Sequence, residues 1–130
     1  MVIDSSALLA LLLAEPEAER IARAIASEPR RLVCAFSSLE TAIVIEARKG
    51  ELAGRELDLL LHRIRADVVV MESAQVEIAR SAWRRFGKGR HPAGLNIGDC
   101  CSYALSKFSG EMLLFKGEDF RHTDVAAVVY

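Results

Sequence analysis

The sequence predicts a three-layer α/β fold in which helices flank a mainly parallel sheet of four to five strands. Two patterns predict it. Short apolar runs alternate with longer helical segments along the chain, as in successive strand–helix–strand units. The apolar runs are also continuous, which is typical of parallel strands buried on both faces. The 130 residues contain no linker, repeat or low-complexity stretch, so we expect a single domain spanning residues 1–130.

The first half of the chain is expected to hold two strands and four helices. Ser5 and Ser6 can cap the first helix, Pro16 suits the first turn of the second, and Ser37 can cap the third, which Gly50 closes. The expected strands are Met1–Ile3 and Leu32–Ala35, and the expected helices cover residues 5–13, 16–27, 38–49 and 52–64.

The second half repeats the alternation around one long loop. Four glycines and a proline within residues 87–98 predict that loop. A helix opens at Ser73 and runs through Trp83 and Phe86, and another covers Asp99–Phe108. The remaining strands are expected at Val68–Met71 and Met112–Phe115, with a fifth at Ala126–Val129.

The composition excludes several classes of protein. An apolar fraction of 52 % argues against disorder, and no apolar run reaches the ~20 residues of a membrane helix. Leu8–Leu13 lacks a preceding basic region, so we expect no secretory signal. Three cysteines, two of them adjacent, do not suggest a disulfide framework, and we expect a cytoplasmic protein. A net charge of −1 excludes a uniformly basic nucleic-acid binder.

Three acidic residues each stand alone in an apolar run. Asp4, Glu40 and Asp99 are the only charges in residues 1–14, 32–45 and 92–106, and no lysine or arginine neighbours them. Carboxylates are rarely buried without a partner. All three are predicted at the carboxyl ends of strands or at the starts of helices, and therefore at one edge of the sheet. Such a cluster stays ionised only beside a counter-charge, and oxygen ligands favour Mg²⁺ or Mn²⁺.

Each acid also has a local structural interpretation. Asp4 could cap the first helix, and Glu40 could form a capping box with Ser37. Asp99 stands three residues after Asn96 and could satisfy its own helix terminus. Any one of these is more common than a catalytic role, and it is the conjunction of the three acids that favours a metal site.

Four segments of the chain carry recognisable motifs. They are Val2–Leu8, with its Asp-Ser-Ser start; Ser37–Thr41; Asn96–Cys100, with its Gly-Asp pair; and Leu113–Phe120, followed by Thr123-Asp124. Together they cover nearly the whole chain in order. These segments resemble the motifs of PIN-domain nucleases, and most closely those of the VapC toxins of bacterial type II toxin–antitoxin pairs.

The resemblance implies a Mg²⁺- or Mn²⁺-dependent endoribonuclease with a VapB-type antitoxin as partner. Asp4, Glu40 and Asp99 would be the metal ligands, Asp119 a fourth acid, and Ser6 would orient Asp4. Many relatives carry another acid where Gly117 stands, so Glu118 could take the fourth place instead of Asp119. Asp124 could cap a turn or lie at the rim of the site.

A basic stretch without acids lies between Glu77 and Asp99. Its arginines and lysines could bind the RNA backbone, or they could form an ordinary solvated helix face. Trp83 and Phe86 could stack on a base, although aromatic residues at helical spacing are more often core. The candidates for RNA binding are Arg84, Arg85, Lys88, Arg90 and Lys116.

Other functions stay open at this level. The main alternative is a PIN-like module that binds RNA or protein without cutting. A phosphatase of the doubly wound class would need a second aspartate where Ser6 stands. Helix segments Ala42–Ile45 and Leu57–Leu61 are apolar on nearly every side, so we expect burial inside the domain, in a homodimer or against an antitoxin segment.

Overall fold

The computed structural model describes all 130 residues and contains one sheet of four strands. The strands are paired in the order β3-β2-β1-β4, and every pair is parallel. In the central strand, Val2 lies opposite both Leu32 and Leu113. The strand bounds are β1 Val2–Ile3, β2 Leu32–Cys34, β3 Asp67–Val69 and β4 Leu113–Leu114.

Six α-helices and a 3₁₀ turn connect and follow these strands. The bounds are α1 Ser5–Leu12, α2 Ala18–Ser27, α3 Ala35–Lys49, α4 Leu52–Arg63, α5 Ser73–Phe86, α6 Ile97–Ser109 and the 3₁₀ turn Asp119–His122. None of these helices has the length and apolar character needed to cross a lipid bilayer.

The predicted three layers are confirmed by two hydrophobic clusters, one on each face of the sheet. Alternate side chains of a strand point to opposite faces. Val2 and Leu32 therefore join α5 and α6 in one cluster, whereas Ile3 and Val33 join α1, α2 and α4 in the other. Helices on both faces explain why β1, β2 and β4 are apolar throughout, whereas the edge strand β3 begins with Asp67 and is largely exposed.

Several sequence-based expectations were wrong: β3 covers Asp67–Val69 where Val68–Met71 was expected, and α6 begins at Ile97 instead of Asp99. The fifth strand expected at Ala126–Val129 is reduced to an isolated parallel bridge between Ala127 and Leu113. The second helix begins at Ala18, because Pro16 belongs to the turn before it. The third helix begins at Ala35, directly after β2, so Ser37 lies inside its first turn and does not cap it. Ser37 is instead fully buried, and its hydroxyl is used across the core.

Candidate active site

Parallel strands bring their carboxyl ends to one edge of the sheet, and the predicted acids lie there. Asp4 follows β1 directly and caps α1. Glu40 stands on α3, which starts immediately after β2. Asp99 stands in the first turn of α6, which packs against both β1 and β2. The topology therefore brings together acids that are far apart in the sequence.

Asp4 is the most enclosed of these acids, with 2 % of its surface exposed. Its Oδ2 accepts hydrogen bonds from the Ser6 N–H at 3.0 Å and from the Ser6 hydroxyl at 2.6 Å. Its Oδ1 accepts a third, from the Ser102 hydroxyl at 2.6 Å. The Ser6 hydroxyl also accepts from the backbone N–H of Lys116, which connects α1 to the chain leaving β4. These donors stabilise the charged carboxylate and hold its plane.

Glu40 bridges the starts of α1 and α6. Its Oε1 accepts a hydrogen bond from the Ser5 hydroxyl at 2.7 Å, next in sequence to Asp4. Its carboxylate lies against Gly98, the residue before Asp99. The capping box considered for Ser37 and Glu40 does not form, because Ser37 lies inside the helix.

Asp99 combines its local structural role with a place in the acidic cluster. Its Oδ2 accepts from the Asn96 N–H, and the Asn96 side chain accepts from the Asp99 N–H, which completes a capping box. Burial raises the pKa of Asp99 to about 7, against the opposing effect of the Asn96 N–H. The negative charges of Asp4, Asp119 and Glu40 raise this pKa in addition. The four carboxylates therefore share one electrostatic field.

The fourth acid lies at the solvent side of the cluster. Asp119 opens the 3₁₀ turn and is exposed, and its charge is felt by Asp99. Glu118 pairs instead with Arg121 at 3.4 Å. Asp124 accepts from the Tyr103 hydroxyl at 2.7 Å and from Arg85 at 3.2 Å, so it fastens the C-terminal segment to α5 and α6.

The donor chemistry of this cluster fits a hard divalent cation. All its ligating atoms are carboxylate oxygens, the type that Mg²⁺ and Mn²⁺ prefer. As the side chains lie, no three His, Cys, Asp or Glu residues are arranged so that they could hold a metal ion. Serines and backbone N–H groups engage oxygens of Asp4, Glu40 and Asp99, so closing around an ion requires movement of the more exposed acids toward Asp4.

The five predicted RNA-binding cations are in different environments. Arg85 is engaged by Asp124, and Lys116 is ion-paired with Glu15 and Glu17. The other three, Arg84, Lys88 and Arg90, are exposed.

The two aromatic residues of α5 also differ. Phe86 is buried in the core, whereas the Trp83 ring is 44 % exposed. The Arg90 guanidinium lies 4.1 Å from the centroid of that ring. Trp83 together with Arg90 therefore forms an exposed stacking surface on α5.

Sequence reasoning missed Ser5 and Ser102 as partners of the acids. Ser102 is fully buried on α6 and reaches Asp4, 98 positions away in the sequence. The available signal was a hydroxyl within an apolar helix, three residues after Asp99, where a buried polar group needs a hydrogen-bonding partner.

A protein-family model described as "PIN domain" matches residues 1–126 of the chain. Among curated proteins, the chain is 59 % identical over 128 residues to "VapC ribonuclease Mb0640" of Mycobacterium bovis, covering 98 % of each chain. It is 61 % identical to "Ribonuclease VapC" of Mycolicibacterium smegmatis, covering 98 % of this chain and 99 % of the relative.

Solved structures show the same fold at much lower identity. The crystal structure of VapC20 from Mycobacterium tuberculosis, described as a sarcin-ricin loop cleaving toxin, superposes with a TM-score of 0.79 at 18 % identity, covering 98 % of this chain and 97 % of the other. VapBC2 from Rickettsia felis, bound to a DNA fragment from its promoter, gives a TM-score of 0.76 at 9 % identity, covering 99 % and 97 %.

Proposed function

The chain belongs to the PIN domain family, as one of its VapC ribonucleases, and we propose that it cuts RNA internally with the help of Mg²⁺ or Mn²⁺. Asp4, Glu40 and Asp99 would hold the ion, and Asp119 would add a fourth carboxylate at the solvent side. As a VapC ribonuclease, the chain is the toxin of a toxin–antitoxin pair, and its protein partner is a VapB-type antitoxin.

One observation carries the metal proposal: burial, together with the negative charges of Asp4, Asp119 and Glu40 from distant parts of the chain, raises the pKa of Asp99 to about 7. Grouping like charges destabilises a fold, so such a cluster needs a compensating use. A divalent cation removes the repulsion by supplying the missing positive charge.

The chain's own residues have separate tasks in this mechanism. Ser6 and Ser102 hold the plane of the Asp4 carboxylate, and Ser5 holds Glu40. The capping box holds Asp99 at the start of α6. When bound, the ion would lower the pKa of the attacking water and stabilise the charge that builds on the phosphate.

We propose that the exposed cations of α5 and of the loop after it bind the RNA backbone. Arg84, Lys88 and Arg90 are not committed to an internal carboxylate, whereas Arg85 and Lys116 are. Trp83 could stack on a base beside them. Binding through these cations would weaken as salt is added.

We further propose that the chain acts as a single domain over residues 1–130 and as a homodimer in the cytoplasm, where its RNA substrate is. The support for an assembly is an exposed apolar surface on α3 and α4. It consists of Leu39, Ile43, Leu52 and Leu59, each more than half exposed.

Cleavage of a mixed RNA pool tests the proposed activity. Purified protein would be assayed with Mg²⁺, with Mn²⁺ and with EDTA, beside an Asp99→Asn variant purified identically. We expect cleavage that needs the ion and is lost in the variant. Equal cleavage by both proteins would contradict the site, and RNA bound without cleavage would favour the non-catalytic binding module.

A further inference from the structure

Two buried serine hydroxyls form a series of hydrogen bonds that ends on Asp4. The Ser102 hydroxyl donates to Asp4 Oδ1 at 2.6 Å and lies 3.0 Å from the Ser37 hydroxyl. Because an ionised carboxylate can only accept, the Ser102 proton is used on Asp4, and Ser37 must donate to the Ser102 oxygen. The hydrogen bonds therefore run in one direction, from Ser37 through Ser102 to Asp4.

This series of hydrogen bonds joins the three elements that carry the predicted metal ligands. Asp4 lies directly after β1, Ser37 lies on α3 three residues before Glu40, and Ser102 lies on α6 three residues after Asp99. Both serines are fully buried. The contact of Ser37, Ser102 and Asp4 therefore lies beneath the acidic cluster and connects the three elements that carry the acids.

The two hydroxyls do not make the bonds that helical hydroxyls usually make. Such side chains commonly donate back to the carbonyl four residues earlier, as Thr41 does to Ser37 and Ser109 does to Leu105. Ser37 and Ser102 instead bond to each other and to Asp4. Alanine at these two positions would pack in the helix and leave no buried hydroxyl in need of a partner. The presence of serine is therefore explained by the hydrogen bonds that end on the Asp4 carboxylate.

We propose that Ser102, supported by Ser37, is a positioning residue that holds Asp4 in the orientation in which it binds the divalent cation. This rests on the proposed function, because it requires an ion at Asp4. With Ser6 donating twice to Oδ2 and Ser102 donating once to Oδ1, the carboxylate is held against rotation, and its one free lone pair, on Oδ1, keeps a fixed direction. Hydrogen bonds to a ligand orient it and strengthen metal binding.

The test compares Ser102→Ala with Ser106→Ala in the full chain. Ser106 is a matched control, because it is buried on the same helix and also donates at 2.6 Å, but to the Glu111 carbonyl. Mn²⁺ affinity would be measured by titration calorimetry, and kcat and KM would be measured on RNA. We expect Ser102→Ala to weaken Mn²⁺ binding roughly tenfold or more and to lower kcat at unchanged KM. Ser106→Ala should keep the wild-type Mn²⁺ affinity.

Ser37→Ala provides a milder variant, because Ser102 retains its own bond to Asp4. We expect a smaller loss of Mn²⁺ affinity in the same direction. If Ser102→Ala does not fold, this variant decides: weaker Mn²⁺ binding supports the proposal, and wild-type binding overturns it.

Asp4→Asn separates the two levels of inference. If Mn²⁺ binds the wild type but not Asp4→Asn, the proposed metal site stands. The positioning role is then overturned alone if Ser102→Ala binds Mn²⁺ like the wild type, or if Ser106→Ala loses as much affinity as Ser102→Ala. A wild type that binds no Mn²⁺ overturns both.

Discussion

The carboxylate of Glu40 occupies the space that a side chain at Gly98 would need. A Cβ added to Gly98 would lie 2.5 Å from both Glu40 oxygens, well inside van der Waals contact. Gly98 therefore lets an acid from α3 reach the start of α6, where Asp99 lies. Its importance comes from the close approach of a neighbouring group and not from a special backbone conformation.

We predict that Gly98→Ala lowers kcat by at least about tenfold, on the scale expected for a misplaced ligand, with little loss of stability. Alanine favours the helix by up to about 1 kcal/mol over glycine, which offsets part of the cost of moving Glu40. Thermal unfolding and RNA cleavage kinetics would measure the two effects.

Gly54→Ala is the matched control for this substitution. Its Cβ would likewise clash with the carboxylate of Glu46, an exposed side chain outside the acidic cluster. We expect normal cleavage from this variant. A similar loss of kcat in both variants would mean that helix crowding, not the position of Glu40, is responsible.

We predict that Asp99→Asn stabilises the chain in EDTA at pH 8. The pKa of Asp99 is about 7 in the fold, above the ~3.9 of an unfolded aspartate, so the fold binds the extra proton and loses stability as the pH rises between these values. Asparagine removes this cost and can still accept from the Asn96 N–H. With solvent screening of a half-buried group, we expect a gain of roughly 1–2 kcal/mol.

Unfolding curves at two pH values check this prediction. The advantage of Asp99→Asn should be largest at pH 8 and should shrink as the pH falls from about 7 toward 4, because the wild-type carboxyl is increasingly protonated in the folded state over this range. Added Mn²⁺ should stabilise the wild type more than the variant. A stability gain of Asp99→Asn that does not change with pH would contradict the proposed coupling between folding and protonation of Asp99.

We predict that neutralising Asp119 and neutralising Asp124 have different effects on the protein. Asp119→Asn should lower kcat while leaving the unfolding temperature unchanged, because Asp119 is exposed and its charge acts on Asp99. Asp124→Asn should lower the unfolding temperature by a few degrees with normal kcat, because it loses its charged partners Arg85 and Lys107.

Glu118→Gln is the control, since Glu118 stands next to Asp119 but pairs with Arg121 on the surface. We expect it to resemble the wild type in both measurements. A loss of kcat in Glu118→Gln with none in Asp119→Asn would assign the fourth acid to Glu118.

We predict that Arg84→Gln with Lys88→Gln weakens RNA binding and flattens its dependence on salt. Each lost phosphate contact should reduce the slope of log K against log salt by about 0.7 for a single strand, so the double variant should lose about 1.4. Binding would be measured at several salt concentrations with the Asp99→Asn background to prevent cleavage.

Lys49→Gln with Arg55→Gln removes the same charge from exposed positions on α3 and α4. We expect this control to keep most of the salt dependence. Equal slopes in the two double variants would mean that RNA binding depends on the total charge of the protein and not on Arg84 and Lys88 in particular.

The sequence by itself determined the fold class, the order of strands and helices, and the family. Continuous apolar runs are a local signal that supported the fold, and the resemblance of four motifs supported the ribonuclease assignment; both were confirmed. Asp4, Glu40 and Asp99 were recognisable because each is the only charge in its run. Their roles as ligands stay a prediction.

Only the tertiary structure decided which side chains meet. The bond from Ser102 to Asp4 and the contact of Glu40 with Gly98 depend on helix packing between distant segments. The exposure of Trp83 beside a buried Phe86 depends on the angle at which α5 lies on the core. Local patterns report the periodicity of one element, whereas these contacts depend on how two elements are placed relative to each other, which no single segment encodes.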